Sequence, residues 1–182
     1  MGRLSGELTQ ATLRKAGQRG LHRQLQAIDQ VWAEIRQAIE GLELPGGRVR
    51  LYQDGLPVCG RENEIVEELA RAGSINHQLL RGLMARGATL MGTESAELLL
   101  QEYDLARESL EPPDPRRAGV AARRRQALGQ ALLQQRDRYI AQRINATLQP
   151  GETGIIFLGM LHSPANFLDK DIRVIFPLKG RR

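Results

Sequence analysis

The sequence is poor in cysteine and in aromatic residues, and each shortage excludes a class of protein. The 182 residues include a single cysteine, Cys59, so one chain can form neither an internal disulfide nor a thiolate zinc cluster. Aromatic residues make up 4% of the chain, which argues against the stacking platforms that bind single-stranded nucleic acid. No apolar run approaches the roughly 18 residues of a membrane span, and no signal-peptide core follows Met1. We therefore expect a cytoplasmic protein with no membrane partner.

Lysine is scarce as well, and the common motifs of nucleotide-binding proteins and serine hydrolases are absent. Lysine occurs only at positions 15, 170 and 179, so the formal net charge of +5 is carried by arginine. The chain has no P-loop, no Gly-x-Gly-x-x-Gly and no Gly-x-Ser-x-Gly. Arginine enrichment fits either genome composition or contacts with phosphate groups. The run Arg123-Arg124-Arg125 fits either a solvated helix face or a phosphate contact. A charge excess of this size predicts weak, salt-sensitive binding of nucleic acid at most.

What the sequence does contain is an alternation of helical and β-prone segments. The first 41 residues predict a long N-terminal helix, because apolar residues recur at spacings of three and four. This stripe consists of Leu21, Leu25, Ile28, Trp32, Ile35 and Ile39. It either packs on a sheet or forms the seam of a homodimer. A proline-rich segment at 111–115 is expected to be a linker within a single domain that spans 1–182.

Four runs are rich in apolar and β-branched residues and predict strands, at 49–53, 88–92, 154–159 and 171–177. Helical periodicity lies between them, at 62–72, 74–87, 95–106 and 116–148. The alternation predicts an α/β fold, with a mostly parallel sheet of about four strands flanked by helices. The run at 154–159 is the most apolar, which is typical of a central strand that is covered on both faces. An all-helical protein is the alternative.

Three of the predicted strands end in side chains that can exchange protons or bind a metal. Asp54 follows the first strand, Glu94 the second and His162 the third. Parallel strands place their carboxyl ends at one edge of the sheet, where ligands bind in open α/β folds. We expect these residues to form an acid/base or divalent-metal site. The alternative is that they only cap helices and form turns.

Other polar residues are candidates for roles near this edge. Arg136 and Arg138 lie near the middle of the long helix and could hold an anionic substrate, and Asn76 and His77 could face the site from the start of their helix. Cys59 is either a nucleophile with His162 as its base or, as we expect, a buried thiol in a loop.

The C-terminal segment resembles the TraB/Tiki family. The resemblance rests on Arg136-Asp137, on the apolar strand that follows, and on the Gly159-x-x-His162 motif, and it covers about 40 residues. The family's first Gly-x-x-His motif has no counterpart near the first strand. The resemblance implies an α/β fold related to the erythromycin-esterase-like and ChaN-like proteins. Some members of the family are described as metal-dependent peptidases, with Glu and His at strand ends.

These observations give one leading hypothesis and two alternatives for function. The leading hypothesis is a small hydrolase-like enzyme, assisted by a divalent metal, that uses Asp54, Glu94 and His162 on a small-molecule or peptide substrate. The first alternative is a regulatory module that binds an anionic ligand or nucleic acid through its arginines. The second is an assembly protein that pairs through its N-terminal helix. The sequence specifies neither the substrate nor the reaction.

Overall fold

A computed structural model describes residues 30–42, 44, 47–110 and 118–177. The chain divides into two compact units, one formed by Leu44–Ile175 and one by the residues on either side of it. The linker predicted at 111–115 lies outside the described residues. Among the helices that the structure describes, none is both long and apolar enough to cross a membrane.

In the unit that flanks Leu44–Ile175, the described residues include helix α1, at 30–40. Ile39 is buried and Trp32 and Ile35 are half-buried, whereas Val31 is exposed, so the described half of the predicted stripe is the less exposed side of the helix. The long helix predicted over the first 41 residues is thus confirmed only for 30–40. The other half of the stripe, Leu21, Leu25 and Ile28, lies outside the described residues, and the homodimer seam stays a prediction.

The other unit contains a parallel sheet of three strands, β1 (Val49–Gln53), β2 (Thr89–Met91) and β3 (Thr153–Phe157). The strand order is β2-β1-β3, and β1 pairs in parallel with both neighbours. The expectation of about four strands is wrong for the described residues. The run at 171–177, whose composition predicted a strand, has no regular secondary structure, and Val174 and Ile175 in it are exposed. A segment of β-prone composition forms a strand only where it can pair with the edge of a neighbouring strand.

The position of β3 also differs from expectation. The apolar run that was expected to be the central strand lies at an edge of the sheet, and β1 is the centre. Four of the five β1 residues are buried, whereas Ile155 and Ile156 of β3 are half-buried. The apolar composition of β3 therefore indicates that this strand packs against helices, but the composition does not indicate where β3 lies in the strand order.

Four further helices belong to this unit: α2 (Glu62–Arg71), α3 (Ile75–Ala85), α4 (Ala96–Leu110) and α5 (Ala118–Thr147). They confirm the helices that the periodicity predicted. A short 3-10 helix, Pro164–Phe167, follows β3. Gly73 and Gly87 lie just after α2 and α3 with φ of 92° and 93°, a left-handed conformation that glycine adopts without strain.

The core that positions the site lies between α5 and the sheet. Tyr52 of β1 packs with Ile140 and Ile144 of α5, and the Tyr52 hydroxyl is 2.9 Å from the Thr147 hydroxyl at the end of the helix. Half-buried residues surround these three: Met91, Leu148, Ile156, Leu158, Leu168 and Ile172. This packing fixes the rotation of α5, and so determines which of its residues face the sheet.

Substitution of glycine by alanine should have opposite effects on stability at two positions of this unit. A Cβ at Gly92 would lie 2.8 Å from Val58 Cα and 2.7 Å from Glu62 Oε1, so Gly92→Ala should lower the free energy of unfolding by about 1–3 kcal/mol. Gly82, inside α3, has open space at its Cβ position, so Gly82→Ala should raise that free energy by about 0.5–1 kcal/mol. Urea unfolding of both variants tests this, and equal effects at the two positions would contradict it.

Candidate functional site

The carboxyl ends of the three strands converge on one cluster of polar side chains. One ligand atom from each of Asp54, Glu94 and His162 can be chosen so that all three atoms lie within 4.8 Å of one another. The Glu94 side chain is fully buried, that of His162 is 5% exposed and that of Asp54 is 22% exposed. The structure therefore brings together the three residues that the strand-end argument selected, while their chemical roles stay predictions.

The backbone after β1 and β2 brings the first two carboxylates together. The Asp54 N–H donates to the Phe157 carbonyl, which continues the ladder between β1 and β3 by one residue. Pro57 and Glu94 form a parallel bridge, in which the Val58 N–H donates to the Glu94 carbonyl at 2.9 Å. The chain after β1 therefore runs alongside the end of β2, so Asp54 and Glu94 come from adjacent segments.

A turn after β3 positions the histidine. The His162 N–H donates to the Gly159 carbonyl at 3.1 Å, and the Gly159 N–H donates to Asp54 Oδ2 at 3.0 Å. A Cβ at Gly159 would lie 2.9 Å from that same Asp54 oxygen, so a larger residue here would displace the Asp54 carboxylate. His162 Nε2 lies 3.5 Å from Asp54 Oδ1, and Nδ1 lies 2.6 Å from Asp137 Oδ1. The imidazole thus lies between two carboxylates.

Helix α5 contributes Arg136 and Asp137 from its middle. The helix packs on the sheet and ends just before β3, so it runs back along the strands. From Thr147 to Arg136 it rises about 16 Å, close to the length of a five-residue strand. Arg136 and Asp137 therefore lie level with the carboxyl ends of the strands, and both are buried.

The Arg136 guanidinium connects three carboxylates. Its Nη2 donates to Asp54 Oδ1 at 2.7 Å and to Glu94 Oε1 at 2.6 Å, its Nε donates to Glu94 Oε2 at 3.2 Å, and its Nη1 donates to Glu102 Oε1 at 2.5 Å. Charge-assisted bonds of this kind are the strong ones in proteins. Both oxygens of the fully buried Glu94 are thus bonded to one cation.

Burial and charge shift the pKa values of this pair. Burial raises the pKa of the Glu94 carboxyl above its ordinary value, the Arg136 guanidinium opposes that rise, and nearby Asp54 adds to it. Burial acts to lower the pKa of Arg136, but the bonds to Glu94 and the charges of Glu102 and Asp54 outweigh it, so that pKa is raised. The cluster therefore contains a carboxyl group that binds its proton more tightly than a carboxyl in water.

The other candidate residues lie elsewhere in this unit or are engaged internally. The Ser74 hydroxyl bonds to Asn76 Oδ1 at 2.5 Å and to His77 Nδ1 at 2.8 Å, and burial lowers the pKa of His77. Arg138 is exposed, with its guanidinium 5.4 Å from the centre of the Phe167 ring. No hydrogen bond in the described ranges joins these three candidates to Asp54, Glu94 or His162, and Arg136 alone of the predicted anion-binding residues reaches the cluster.

Cys59 does not match its expected environment. The prediction of a buried thiol is wrong, because Cys59 is exposed, in a loop whose Cys59 and Gly60 N–H groups donate to Glu62. The nucleophile alternative has no support from the histidine, since the two ring nitrogens of His162 face Asp137 and Asp54.

Two carboxylates of the site, Asp137 and Glu102, were not among the candidates chosen at strand ends. The sequence indicates Asp137 only through the family resemblance, which gives it no role. A signal was nevertheless present, because Arg136 and Asp137 precede the apolar Ile140 and Ala141 by four residues and so share the buried face of α5. Two adjacent charged residues on the buried face of a helix indicate a buried ionic network.

The fold and the cluster together define a small α/β protein with a three-stranded parallel sheet and a buried Asp/Glu/His group that could hold a metal ion. Comparison of the chain with protein-family models, curated proteins and solved structures finds no match. The resemblance of the C-terminal segment to the TraB/Tiki family therefore stays a prediction.

Removal of the central cation should destabilise the protein strongly. Arg136→Met leaves Glu94 buried without its partner, and breaking a buried ion pair in this way lowers the free energy of unfolding by about 3–5 kcal/mol. Arg138→Met, two residues along the same helix at an exposed position, is the matched control and should cost less than about 1 kcal/mol. Chemical unfolding at neutral pH compares them, and similar losses would show that Arg136 does not hold the cluster together.

The raised pKa of Glu94 predicts a definite pH dependence. Because the folded state binds this proton more tightly than the unfolded state, the contribution of Glu94 to stability is fully present below the unfolded pKa of about 4.3 and is lost as pH rises through the folded value. The free energy of unfolding of the wild type, measured with a chelator present, should fall relative to Glu94→Gln as pH rises above about 4.

Glu97→Gln, at an exposed position of α4, removes one carboxylate without touching the cluster and is the control for this comparison. A wild type that gains stability over Glu94→Gln across the same pH range would contradict the direction of the shift.

Proposed function

We propose that this protein is a hydrolase-type enzyme whose reaction centre is a divalent cation held by Asp54, Glu94 and His162. The observation that carries the proposal is the approach of two carboxylates and one imidazole to within 4.8 Å of one another, at the end of a sheet where ligands bind in α/β proteins. A set of two oxygen ligands and one nitrogen ligand suits zinc and other first-row divalent metals.

The separation of the ligand atoms supports a shared cation rather than a direct bond between them. His162 Nε2 and Asp54 Oδ1 are 3.5 Å apart, which is long for a charge-assisted hydrogen bond. Two ligands at about 2.1 Å from a tetrahedral zinc lie about 3.4 Å from each other. The pair therefore has the spacing of two neighbouring ligands of one ion.

The charge balance of the cluster points the same way. Two buried carboxylates, Glu94 and Asp137, and the partly exposed carboxylate of Asp54 lie within bonding distance of Arg136 or His162, and among the described residues Arg136 is the one guanidinium that bonds to any of them. Buried carboxylates in excess of cations are unfavourable unless they are protonated or bind a further positive charge. A divalent cation would offset that excess, and the same excess argues against an anionic ligand at this position.

The residues of the centre would have distinct tasks. A divalent cation there would supply a Lewis acid that activates water and polarises a carbonyl group. Glu94, fully buried with both oxygens bonded to Arg136, is the inner anionic ligand. Asp54, with 22% of its side chain exposed, is the most exposed of the three ligands, so a substrate would approach the cation from its side.

The residues that carry the family resemblance also lie in or next to the cluster, which supports this proposal. Of the four residues that carry it, Arg136, Asp137 and His162 have side chains in the cluster, and Gly159 donates its N–H to Asp54. Some members of the family that the segment resembles are described as metal-dependent peptidases. The substrate therefore remains a small molecule or a peptide, and the cytoplasmic location expected from the sequence stays a prediction.

The proposal predicts saturable binding of a divalent metal. Chelator-treated protein should bind about one equivalent of Zn²⁺, Mn²⁺ or Co²⁺ in isothermal titration calorimetry, and Co²⁺ should report its coordination by absorption. His162→Ala and Asp54→Asn each remove one ligand and should weaken the affinity by at least about tenfold. His77→Ala removes a histidine that lies outside the cluster and should leave the affinity unchanged.

Activity is measured on the same proteins. A panel of ester and peptide substrates should be cleaved by the metal-loaded wild type and not by His162→Ala, whose fold is checked by circular dichroism. Absence of saturable binding for every metal tested, or equal affinities in wild type and His162→Ala, would refute the metal centre.

A further inference from the structure

Asp137 is a buried carboxylate whose two oxygens both have partners. Oδ1 lies 2.6 Å from His162 Nδ1, and Oδ2 accepts the Ser163 N–H at 3.0 Å. A buried carboxylate is unfavourable unless its oxygens are hydrogen-bonded, and here both bonds come from the segment that carries the histidine. The hydrogen bonds that stabilise the buried Asp137 carboxylate therefore depend on the position of the His162 segment.

The contact with Asp137 determines which ring nitrogen carries the proton. An ionised carboxylate can only accept a hydrogen bond, so Nδ1 of His162 must be the donor. In the neutral ring, Nε2 then has a free lone pair, and Nε2 is the atom that faces Asp54 Oδ1. The side chain that selects the tautomer is thus on α5, while the lone pair is directed at the carboxylate after β1.

The same carboxylate also holds the chain around the histidine. The segment from Gly159 to Ser163 is bonded at its two ends to different carboxylates, since the Gly159 N–H donates to Asp54 and the Ser163 N–H donates to Asp137. Neither the backbone nor the ring of His162 can therefore rotate away without breaking one of these bonds.

We propose that Asp137 is a positioning residue that fixes the Nδ1–H tautomer and the ring orientation of His162, so that Nε2 is presented to a cation between Asp54 and Glu94. The part of this inference that concerns the cation rests on the proposed function, whereas the tautomer does not. Carboxylate–histidine–metal arrangements of this kind orient the ligand and make it more basic, and losing the carboxylate typically lowers metal affinity by about 10–100-fold.

The tautomer is measured directly by long-range ¹H–¹⁵N correlation spectra of the metal-free protein in alkaline buffer. The chain has three histidines, so His162→Gln assigns the signals of residue 162. In the wild type we expect a protonated Nδ1 and an unprotonated Nε2. A ring protonated at Nε2, or at both nitrogens, would overturn the assignment whatever the variants do.

Asp137→Asn then tests the cause. Its amide cannot accept both the Nδ1–H and the Ser163 N–H as the carboxylate does, so the Nδ1–H population should fall and Zn²⁺ affinity should drop by about 10–100-fold. Asp169→Asn, at an exposed position outside the cluster, should match the wild type in both measurements. If Asp137→Asn does not fold, the wild-type spectrum and Asp137→Glu supply the same test.

The outcomes separate this inference from the proposed function. A folded Asp137→Asn with the wild-type tautomer would refute the positioning role even if the protein binds metal. A wild type with the expected tautomer that binds no metal would refute the metal centre and leave the role of Asp137 in orienting the ring intact. An unchanged metal affinity together with a changed tautomer would show that the cation does not depend on Nε2, and would refute the proposal.

Discussion

The site depends on the contacts of two adjacent residues, Arg136 and Asp137, because their side chains reach the ends of all three strands from one turn of α5. Arg136 bonds Asp54 after β1 and Glu94 after β2, and Asp137 bonds His162 after β3. Arg136 also bonds Glu102 of α4, so a second helix is included in the network. The apolar packing of Tyr52 against Ile140 and Ile144 sets the rotation of α5 that makes these bonds possible. The core thus orients the helix, and the helix holds the polar cluster.

Such a network is expensive for the fold, which is a reason to connect it with function. Burying charge costs several kcal/mol per ion before the partners are counted, and well-packed apolar residues of similar volume are often as stable or more so. Here the carboxylates outnumber the cations, and burial raises the pKa of Glu94 despite its two bonds to Arg136. A purely structural cluster would gain nothing from this imbalance, whereas a cation site requires an excess of anionic ligands.

The sequence predicted the meeting of the three strand-end residues better than it predicted the sheet, for a physical reason. Parallel strands place their carboxyl ends at one edge whatever their order, so the meeting of Asp54, Glu94 and His162 followed from three local strand assignments. Strand number and order depend on pairing between distant segments, and local composition carries little information about that. The run at 171–177 lacks a partner among the described residues, and β3 lies at an edge although it is the most apolar run. The argument from strand ends does not select Asp137, because Asp137 lies in a helix. The pattern that indicates it is a pair of adjacent charged residues on the buried face of α5.

Asp54 is the residue at which the two halves of the cluster meet. Its Oδ1 accepts the Arg136 guanidinium and faces His162 Nε2, and its Oδ2 accepts the Gly159 N–H at the start of the histidine turn. Arg136 holds Glu94, and Asp137 holds His162. Glu94 and His162 therefore do not depend on each other for their positions, but both approach Asp54. Residues that share partners in this way give non-additive effects when they are substituted together. Asp54, the most exposed of the three residues that could hold a metal ion, is therefore the one that contacts both the buried Arg136–Glu94 pair and the His162 imidazole.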